Sequence, residues 1–176
     1  ISYTYTEPTI FFEYAYQTAK LAHAADMKNI FVTNGYMTPE ALDSIQPYLD
    51  AANVDLKAFS NDFYKEQCGA KLAPVLESLK KLKSMGVWLE VTTLVIPSVN
   101  DSDRELTEIA QFIVELGPET PWHVSRFHPT YMLKSTSSTP VASLKRAREI
   151  GLQVGLHYVY TGNVPGDQGE KTLCHN

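Results

Sequence analysis

Small clusters of polar residues follow five apolar runs of this chain, each at the point where the run ends. They carry carboxylate, ammonium, imidazole, amide and hydroxyl groups, which proteins use to hold polar ligands. The clusters are Tyr5-Thr6-Glu7-Pro8, Thr33-Asn34-Gly35, Asp55-Leu56-Lys57, Arg126-Phe127-His128-Pro129 and Thr161-Gly162-Asn163. A rhythm of strand then polar cluster, with helical stretches between, predicts a parallel barrel that collects one site from many strand ends.

One cluster pairs a carboxylate with an ammonium group. Asp55 and Lys57 lie two residues apart, so on a strand they would share a face. Charges in a buried parallel strand are costly unless they are paired, which leaves a structural ion pair or a solvated edge as the alternative to a ligand site. Lys57 beside Asp55 at a barrel strand end could also form a Schiff base, as in class I aldolases.

Two other clusters have ordinary structural interpretations beside the functional one. Thr33-Asn34-Gly35 is typical of a strand-to-loop turn, because Asn and Gly tolerate left-handed backbone geometry. His128, just before Pro129, could be a loop histidine with no chemical role. The place of Asn34 in the series of strand ends favours binding, and both interpretations of His128 stay open.

Length, charge and cysteine content limit the class of function. The chain has 176 residues, 44% of them hydrophobic, which indicates one globular core. A net charge of -5 argues against a polyanion binder, so nucleic acid is not an expected partner. The chain has no apolar run of membrane-spanning length and no signal-peptide pattern, which predicts no membrane association and a cytoplasmic location. Cys68 and Cys174 do not make a disulfide framework.

Hydrophobic periodicity and capping residues predict six strands and five intervening helices. Strands are expected at residues 1–5, 29–32, 53–56, 87–96, 122–127 and 157–160. Helices are expected to begin near Thr9, Thr38, Leu72, Ser102 and Thr139. The stretch 87–96 is almost wholly β-branched, aromatic or leucine, which is typical of a strand buried on both faces.

This alternation predicts an α/β fold with a parallel sheet and right-handed crossovers. No glycine-rich phosphate loop follows the first strand, and polar clusters end almost every strand, so a barrel is favoured over an open doubly wound sheet. Full eight-stranded barrels need about 250 residues. The prediction is therefore an incomplete parallel β/α barrel of the TIM type.

Taken together and in order, the strand ends resemble those of radical S-adenosylmethionine enzymes. The resemblance rests on residues 3–9, 32–36, 53–57, 95–101 and 125–129 and covers essentially the whole chain. Within that superfamily the chain is most similar to activating enzymes of the pyruvate formate-lyase type, and closest to the subgroup associated with Memo-like proteins. The resemblance implies a partial radical S-adenosylmethionine barrel over residues 1–160 and a C-terminal extension over residues 161–176.

The resemblance also implies a role for six residues around S-adenosylmethionine. Thr6 and Glu7 occupy the place of a Gly-Gly-Glu-like strand end that contacts the methionyl ammonium. Asn34 matches the family's Thr-Asn-Gly. Asp55 and Lys57 match its Asp-Leu-Lys, which reaches the ribose hydroxyls and the carboxylate of the cofactor, and His128 matches a histidine near the cofactor. These residues would position the cofactor, and none is expected to be a catalytic acid or base or a metal ligand.

The family binds a 4Fe-4S cluster with a Cys-x3-Cys-x2-Cys loop, and this chain contains no such motif. Cys68 and Cys174 cannot replace it, because three thiolates must converge on one cluster. The cluster ligands are therefore expected upstream of Ile1, and this chain alone is expected to be inactive. Cys174 is a candidate for the first residue of a Cys-x2-Cys metal or cluster ligand pair.

The reaction that the resemblance implies is reductive cleavage of S-adenosylmethionine at the cluster, which gives a 5′-deoxyadenosyl radical that abstracts hydrogen from a protein or other substrate. The implied partners are a protein or peptide substrate and an electron donor such as flavodoxin or ferredoxin. An incomplete barrel would expose a sheet edge, which predicts self-association. The alternatives are an aldolase-like barrel with Schiff-base Lys57 and a non-catalytic fragment that binds S-adenosylmethionine.

Overall fold

The computed structural model describes residues 1–172, which contain six strands and six α-helices in alternation along most of the chain. The strands are β1 (Ser2–Tyr3), β2 (Ile30–Thr33), β3 (Ala51–Asp55), β4 (Trp88–Val95), β5 (Trp122–Arg126) and β6 (Val159–Gly162). The helices are α1 (Phe12–Ala24), α2 (Pro39–Ile45), α3 (Asn61–Cys68), α4 (Leu72–Ser84), α5 (Asp103–Leu116) and α6 (Val141–Val154). Short 3₁₀ turns cover Gln46–Tyr48, Tyr131–Leu133 and Gln168–Glu170.

The six strands form one sheet in the order of the chain, and the pairs β1–β2, β2–β3, β4–β5 and β5–β6 are parallel. The predicted α/β fold class is therefore confirmed. Two compact units divide the chain: the first unit contains Ile1–Leu56 with Lys71–Glu90, and the second contains Lys57–Ala70 with the chain from Val91 onward.

The first unit is built on β1, β2 and β3. Its core contains fully or almost fully buried side chains from β2, β3, α2 and α4, which are Phe31, Val54, Leu42, Ile45, Leu79 and Leu82. Helix α1 buries Ala15, Ala19 and Ala22, whose spacing places three small side chains on one face. Asn29 lies just before β2, and its buried side chain accepts from Tyr3 Oη at 2.9 Å and donates to Ala19 O and Tyr48 O.

The second unit is built on the later residues of β4 with β5 and β6. Trp122 of β5 is fully buried, and its indole Nε1 donates to Thr93 Oγ1 of β4 at 3.0 Å. Thr93 is fully buried as well, so it is a core residue of this sheet. Helices α5 and α6 pack against each other and are joined at the surface by an ion pair between Asp103 and Arg146.

Some local predictions were wrong, and each error has an identifiable cause. Helix α3 was not expected, because it is mostly polar and buries Tyr64 alone, which leaves no apolar stripe to detect. Thr9 does not cap α1, since its hydroxyl donates to Glu7 Oε1 instead. Thr139 does not cap α6, since its hydroxyl donates to the Val95 carbonyl.

Strand β4 also differs from its expectation of burial on both faces. Its residues alternate between buried and accessible positions, with Trp88 and Leu94 on the accessible side. An apolar composition without alternation therefore did not identify which side chains are covered. Among the described helices, none is long and apolar enough to cross a membrane.

Candidate cofactor-binding site

The Glu7 carboxylate follows β1 and binds the end of β2. Its Oε1 accepts from the Thr33 hydroxyl at 2.6 Å, and its Oε2 accepts from the Asn34 N–H at 2.8 Å. Oε1 also accepts from the N–H and the hydroxyl of Thr9, at 3.3 and 3.1 Å. The two oxygens of a carboxylate offer about four acceptor positions, so Oε2 has capacity for a further donor such as an ammonium group.

Asn34 and Gly35 make the tight exit from β2. The Asn34 side chain accepts from the Tyr36 N–H at 2.8 Å, which is an Asx turn. Gly35 has φ +72°, and a Cβ there would lie 2.6 Å from Val54 Cγ1, so both backbone angle and space require glycine. The Gly35 N–H donates to Thr33 Oγ1 at 3.1 Å, and that hydroxyl in turn donates to Glu7.

Thr6 and Asp55 lie near the same ends of their strands. Thr6 is exposed and follows Tyr5, which has φ +67° and a fully exposed side chain, so β1 ends at Tyr3 and not at residue 5. Asp55 is half-buried and is the last residue of β3. Since β1, β2 and β3 are parallel, their carboxyl ends share one edge of the sheet. The first unit therefore brings Thr6, Glu7, Asn34 and Asp55 to one edge.

Lys57 lies two residues beyond the end of β3 and belongs to the second unit. The assumption that Asp55 and Lys57 share one strand was therefore wrong. The Lys57 N–H donates to Tyr64 Oη at 3.1 Å, and its carbonyl accepts from Asn100 Nδ2 at 2.7 Å. Burial raises the pKa of the Cys68 thiol, and the positive charge of Lys57 opposes that rise.

His128 is exposed and follows β5 in the second unit. The residues just before it are held from the segment that precedes α6: Phe127 N–H donates to Thr139 Oγ1 at 3.0 Å, and Arg126 Nε donates to Thr139 O at 2.9 Å. Thr139 is fully buried and also donates to Val95 O. The end of β5, just before His128, is thus held by Thr139, which the sequence predicted to be a helix cap.

Three residues hold these strand ends, and sequence reasoning identified none of their partners: Thr33 and Asn100 were noted only as members of polar segments, and Tyr64 was missed. Their hydrogen-bond partners lie 26, 7 and 43 residues away in the chain. The one available signal was Asn100 in the turn after β4, where a buried asparagine must find partners for its amide. The local spacing of residues in the sequence could not have predicted those partners.

The donors and acceptors present can be compared with the cofactors that the resemblance implies. A carboxylate with remaining acceptor capacity and a second carboxylate at the edge of the first unit fit the ammonium and hydroxyl groups of S-adenosylmethionine. A 4Fe-4S cluster needs several converging thiolates. In residues 1–172 the one cysteine is Cys68, and no group of three potential metal ligands occurs there, so these residues do not fit a cluster. Cys174 lies outside the described residues.

Comparison with known proteins gives relatives of two kinds. An uncharacterized protein of Methanocaldococcus jannaschii is 48% identical over 177 residues, which is 100% of this chain and 52% of that protein. Isethionate sulfite-lyase activating enzyme of Nitratidesulfovibrio vulgaris is 30% identical over 87 residues, which is 48% of this chain and 28% of that enzyme. The chain thus spans about half, or less, of the length of these relatives.

Solved structures support the partial-barrel fold. A domain of pyruvate-formate lyase-activating enzyme from Bacteroides vulgatus has a TM-score of 0.80 and 15% identity, and the match covers 93% of this chain and 98% of that one. SuiB of Streptococcus suis bound to S-adenosylmethionine has a TM-score of 0.74 and 14% identity, with 93% and 39% covered. SuiB bound to the precursor peptide SuiA also gives 0.74, with 16% identity and 93% and 38% covered.

These neighbours confirm the predicted incomplete parallel α/β barrel of the radical S-adenosylmethionine kind. The family model that matches the sequence describes the radical SAM superfamily and covers residues 1–113. That range includes the strand ends of the first unit and the loop that carries Lys57. The chain belongs to the radical SAM superfamily.

Proposed function

We propose that this chain is the S-adenosylmethionine-binding part of a radical enzyme of the glycyl-radical activating type. The observation that carries the proposal is the shared edge of the parallel strands β1, β2 and β3, where Glu7 and Asn34 follow β1 and β2 and Asp55 ends β3. Membership of the radical SAM superfamily supports S-adenosylmethionine as the ligand that we propose for that edge. When bound and reduced, S-adenosylmethionine is the source of the radical that removes hydrogen from a substrate.

The residues of this chain would act by binding and orientation. The open acceptor position of Glu7 Oε2 and the exposed Thr6 hydroxyl suit the ammonium group, and the Asp55 carboxylate suits ribose hydroxyls. In this proposal Lys57 binds the carboxylate of the cofactor, and His128 lies near the cofactor. No proton transfer is assigned to any of them, since in cofactor chemistry of this kind the protein supplies binding and orientation.

Calorimetric titration with S-adenosylmethionine tests the binding role. Because a hydrogen bond to a charged group is worth about 1.5–3 kcal/mol, Asp55→Asn and Lys57→Ala should each weaken binding by about tenfold or more. Asp62→Asn is the matched control, since Asp62 is an exposed acid in the first turn of α3. Equal affinities in the wild type and both site variants would refute the proposal.

We further propose a protein or peptide as the substrate and a small redox protein such as flavodoxin or ferredoxin as the electron donor. The support for a peptide is that SuiB, which shares the fold, has been solved with its precursor peptide, and that a relative is an activating enzyme. Incubation of the reconstituted enzyme with candidate peptides and S-adenosylmethionine should consume the cofactor faster with its substrate than without. If no peptide or protein changes the rate at which the cofactor is consumed, this choice of substrate is contradicted.

Self-association is proposed from the apolar surface of the first unit. Helix α1 and the turn before it expose Ile10, Tyr14 and Leu21, each at least 73% accessible. These three side chains recur at helical spacing on one stripe, opposite the three buried alanines. Light scattering should show a dimer that Tyr14→Lys with Leu21→Lys converts to a monomer. A monomeric wild type would refute this proposal.

A further inference from the structure

Two buried side chains hold the backbone of Lys57 from both sides. Its N–H donates to Tyr64 Oη at 3.1 Å, and its carbonyl accepts from Asn100 Nδ2 at 2.7 Å. Tyr64 is 2% exposed and Asn100 is 1% exposed, so neither partner is free to follow a moving loop. A shift of Lys57 would break its hydrogen bonds to two buried side chains, which is costly.

Asn100 is itself fixed by two further hydrogen bonds at the end of β4. Its Nδ2 also donates to Leu94 O at 2.9 Å, and its Oδ1 accepts from the Ile96 N–H at 2.7 Å. Both donor hydrogens of the amide are therefore used, and its oxygen holds the residue that follows β4. This side chain ties the Lys57 carbonyl to the carboxyl end of a core strand of the second unit.

The residues after Lys57 complete the restraint. Ala58 is fully buried, and the Phe59 N–H donates to the Glu105 carboxylate of α5. Leu56 and Ala58 are fully buried on either side of Lys57, which is itself half-buried. The position of the Lys57 backbone is thus set by residues outside the cofactor contacts.

We infer that Tyr64 and Asn100 are positioning residues that fix the Lys57 backbone, so that its ammonium group meets the carboxylate of S-adenosylmethionine. The inference rests on the proposed function, which gives Lys57 that contact. A long lysine side chain has many rotamers, and fixing its backbone removes part of the freedom that binding must otherwise remove. The two residues act on the ligand through Lys57.

A double-mutant cycle separates this role from a general contribution to the fold. Tyr64→Phe removes the hydroxyl and keeps the buried ring, and it is combined with Lys57→Ala. With Lys57 present, Tyr64→Phe should raise the dissociation constant of S-adenosylmethionine by about fivefold, the range of one neutral hydrogen bond. In the Lys57→Ala background the same change should alter it by less than about twofold.

Amide hydrogen exchange gives a second readout that does not need the ligand. The Lys57 amide should exchange at least about tenfold faster in Tyr64→Phe, because its acceptor is lost. Tyr3→Phe is the matched control: it also removes a hydroxyl from a buried tyrosine, and its partner Asn29 precedes β2, at the opposite end of the strands from Asn34. That control should change neither the Lys57 exchange rate nor the affinity.

The outcomes distinguish the inference from the proposed function. If Lys57→Ala binds as tightly as the wild type, the proposed role of Lys57 is wrong and the positioning role falls with it. If Lys57→Ala weakens binding but Tyr64→Phe does not, or weakens it equally in both backgrounds, the function stands and the positioning role is refuted. An unchanged Lys57 exchange rate in Tyr64→Phe would also overturn it.

Discussion

Replacement of Glu7 by glutamine tests whether this carboxylate holds the end of β2. The two shortest bonds to Glu7 come from the Thr33 hydroxyl at 2.6 Å and the Asn34 N–H at 2.8 Å. A hydrogen bond to a charged group is worth about 1.5–3 kcal/mol and a neutral one about 0.5–1.5 kcal/mol, so neutralising both costs about 2 kcal/mol. Glutamine also replaces one carboxylate oxygen by an NH₂ group, which is a donor and so cannot accept from the Thr33 hydroxyl or the Asn34 N–H. We therefore expect a loss of about 3 kcal/mol in the free energy of unfolding.

Urea unfolding at neutral pH measures that loss as a lower midpoint with an unchanged slope. Glu13→Gln is the control, because Glu13 is an exposed acid in the first turn of α1 and should cost about 0.5 kcal/mol or less. Hydrogen exchange should show faster exchange of the Asn34 amide in Glu7→Gln alone. A stability loss no larger than that of the control would refute the role assigned to the Glu7 carboxylate.

Two further predictions concern backbone geometry and acid stability. Gly35→Ala should destabilise by about 3 kcal/mol, from strain at positive φ and contact with Val54, while Gly86→Ala, with φ +76° and no atom within 4 Å, should cost about 1 kcal/mol; equal losses would contradict the steric argument. Burial raises the pKa of Asp50, but hydrogen bonds from the Lys28 ammonium and the Asn29 N–H outweigh it and lower the pKa on balance. Its contribution to stability is present above about pH 4 and is lost as the pH falls through the lowered pKa, so Asp50→Asn should flatten the acid limb of stability against pH.

The sequence was sufficient for elements that carry their own periodic signal. Strand β5 was expected at residues 122–127 and is found at Trp122–Arg126, because a run of β-formers ends in a polar cluster. Helix α2 begins after Thr38, whose side chain accepts from the Ala41 N–H as a capping residue should. In these cases the information lies within a few neighbouring residues.

The sequence was insufficient where a side chain has the local pattern of a helix cap but bonds to a distant part of the chain. Thr139 precedes proline at the start of a helix and has the pattern of a cap, yet its hydroxyl serves Val95 and Phe127. Ser102 does cap α5, but the Glu105 carboxylate of the same capping pattern accepts from the Phe59 N–H. In both cases the side chain bonds to a partner 44 or 46 residues away in the chain. Capping rules consider only neighbouring residues, so they could not have predicted these bonds.

The polar strand ends therefore have a structural role as well as a proposed binding role, and the two can be separated by atom. Glu7 Oε1 accepts three donors of the chain, whereas Oε2 accepts one and retains capacity for another. Lys57 shows a similar division, since its backbone is bonded to Tyr64 and Asn100 while the proposed ligand contact belongs to its half-buried side chain. A ligand that meets groups already fixed by the fold costs less ordering on binding. Variants at Thr33, Tyr64 and Asn100 should thus change affinity without removing any proposed contact.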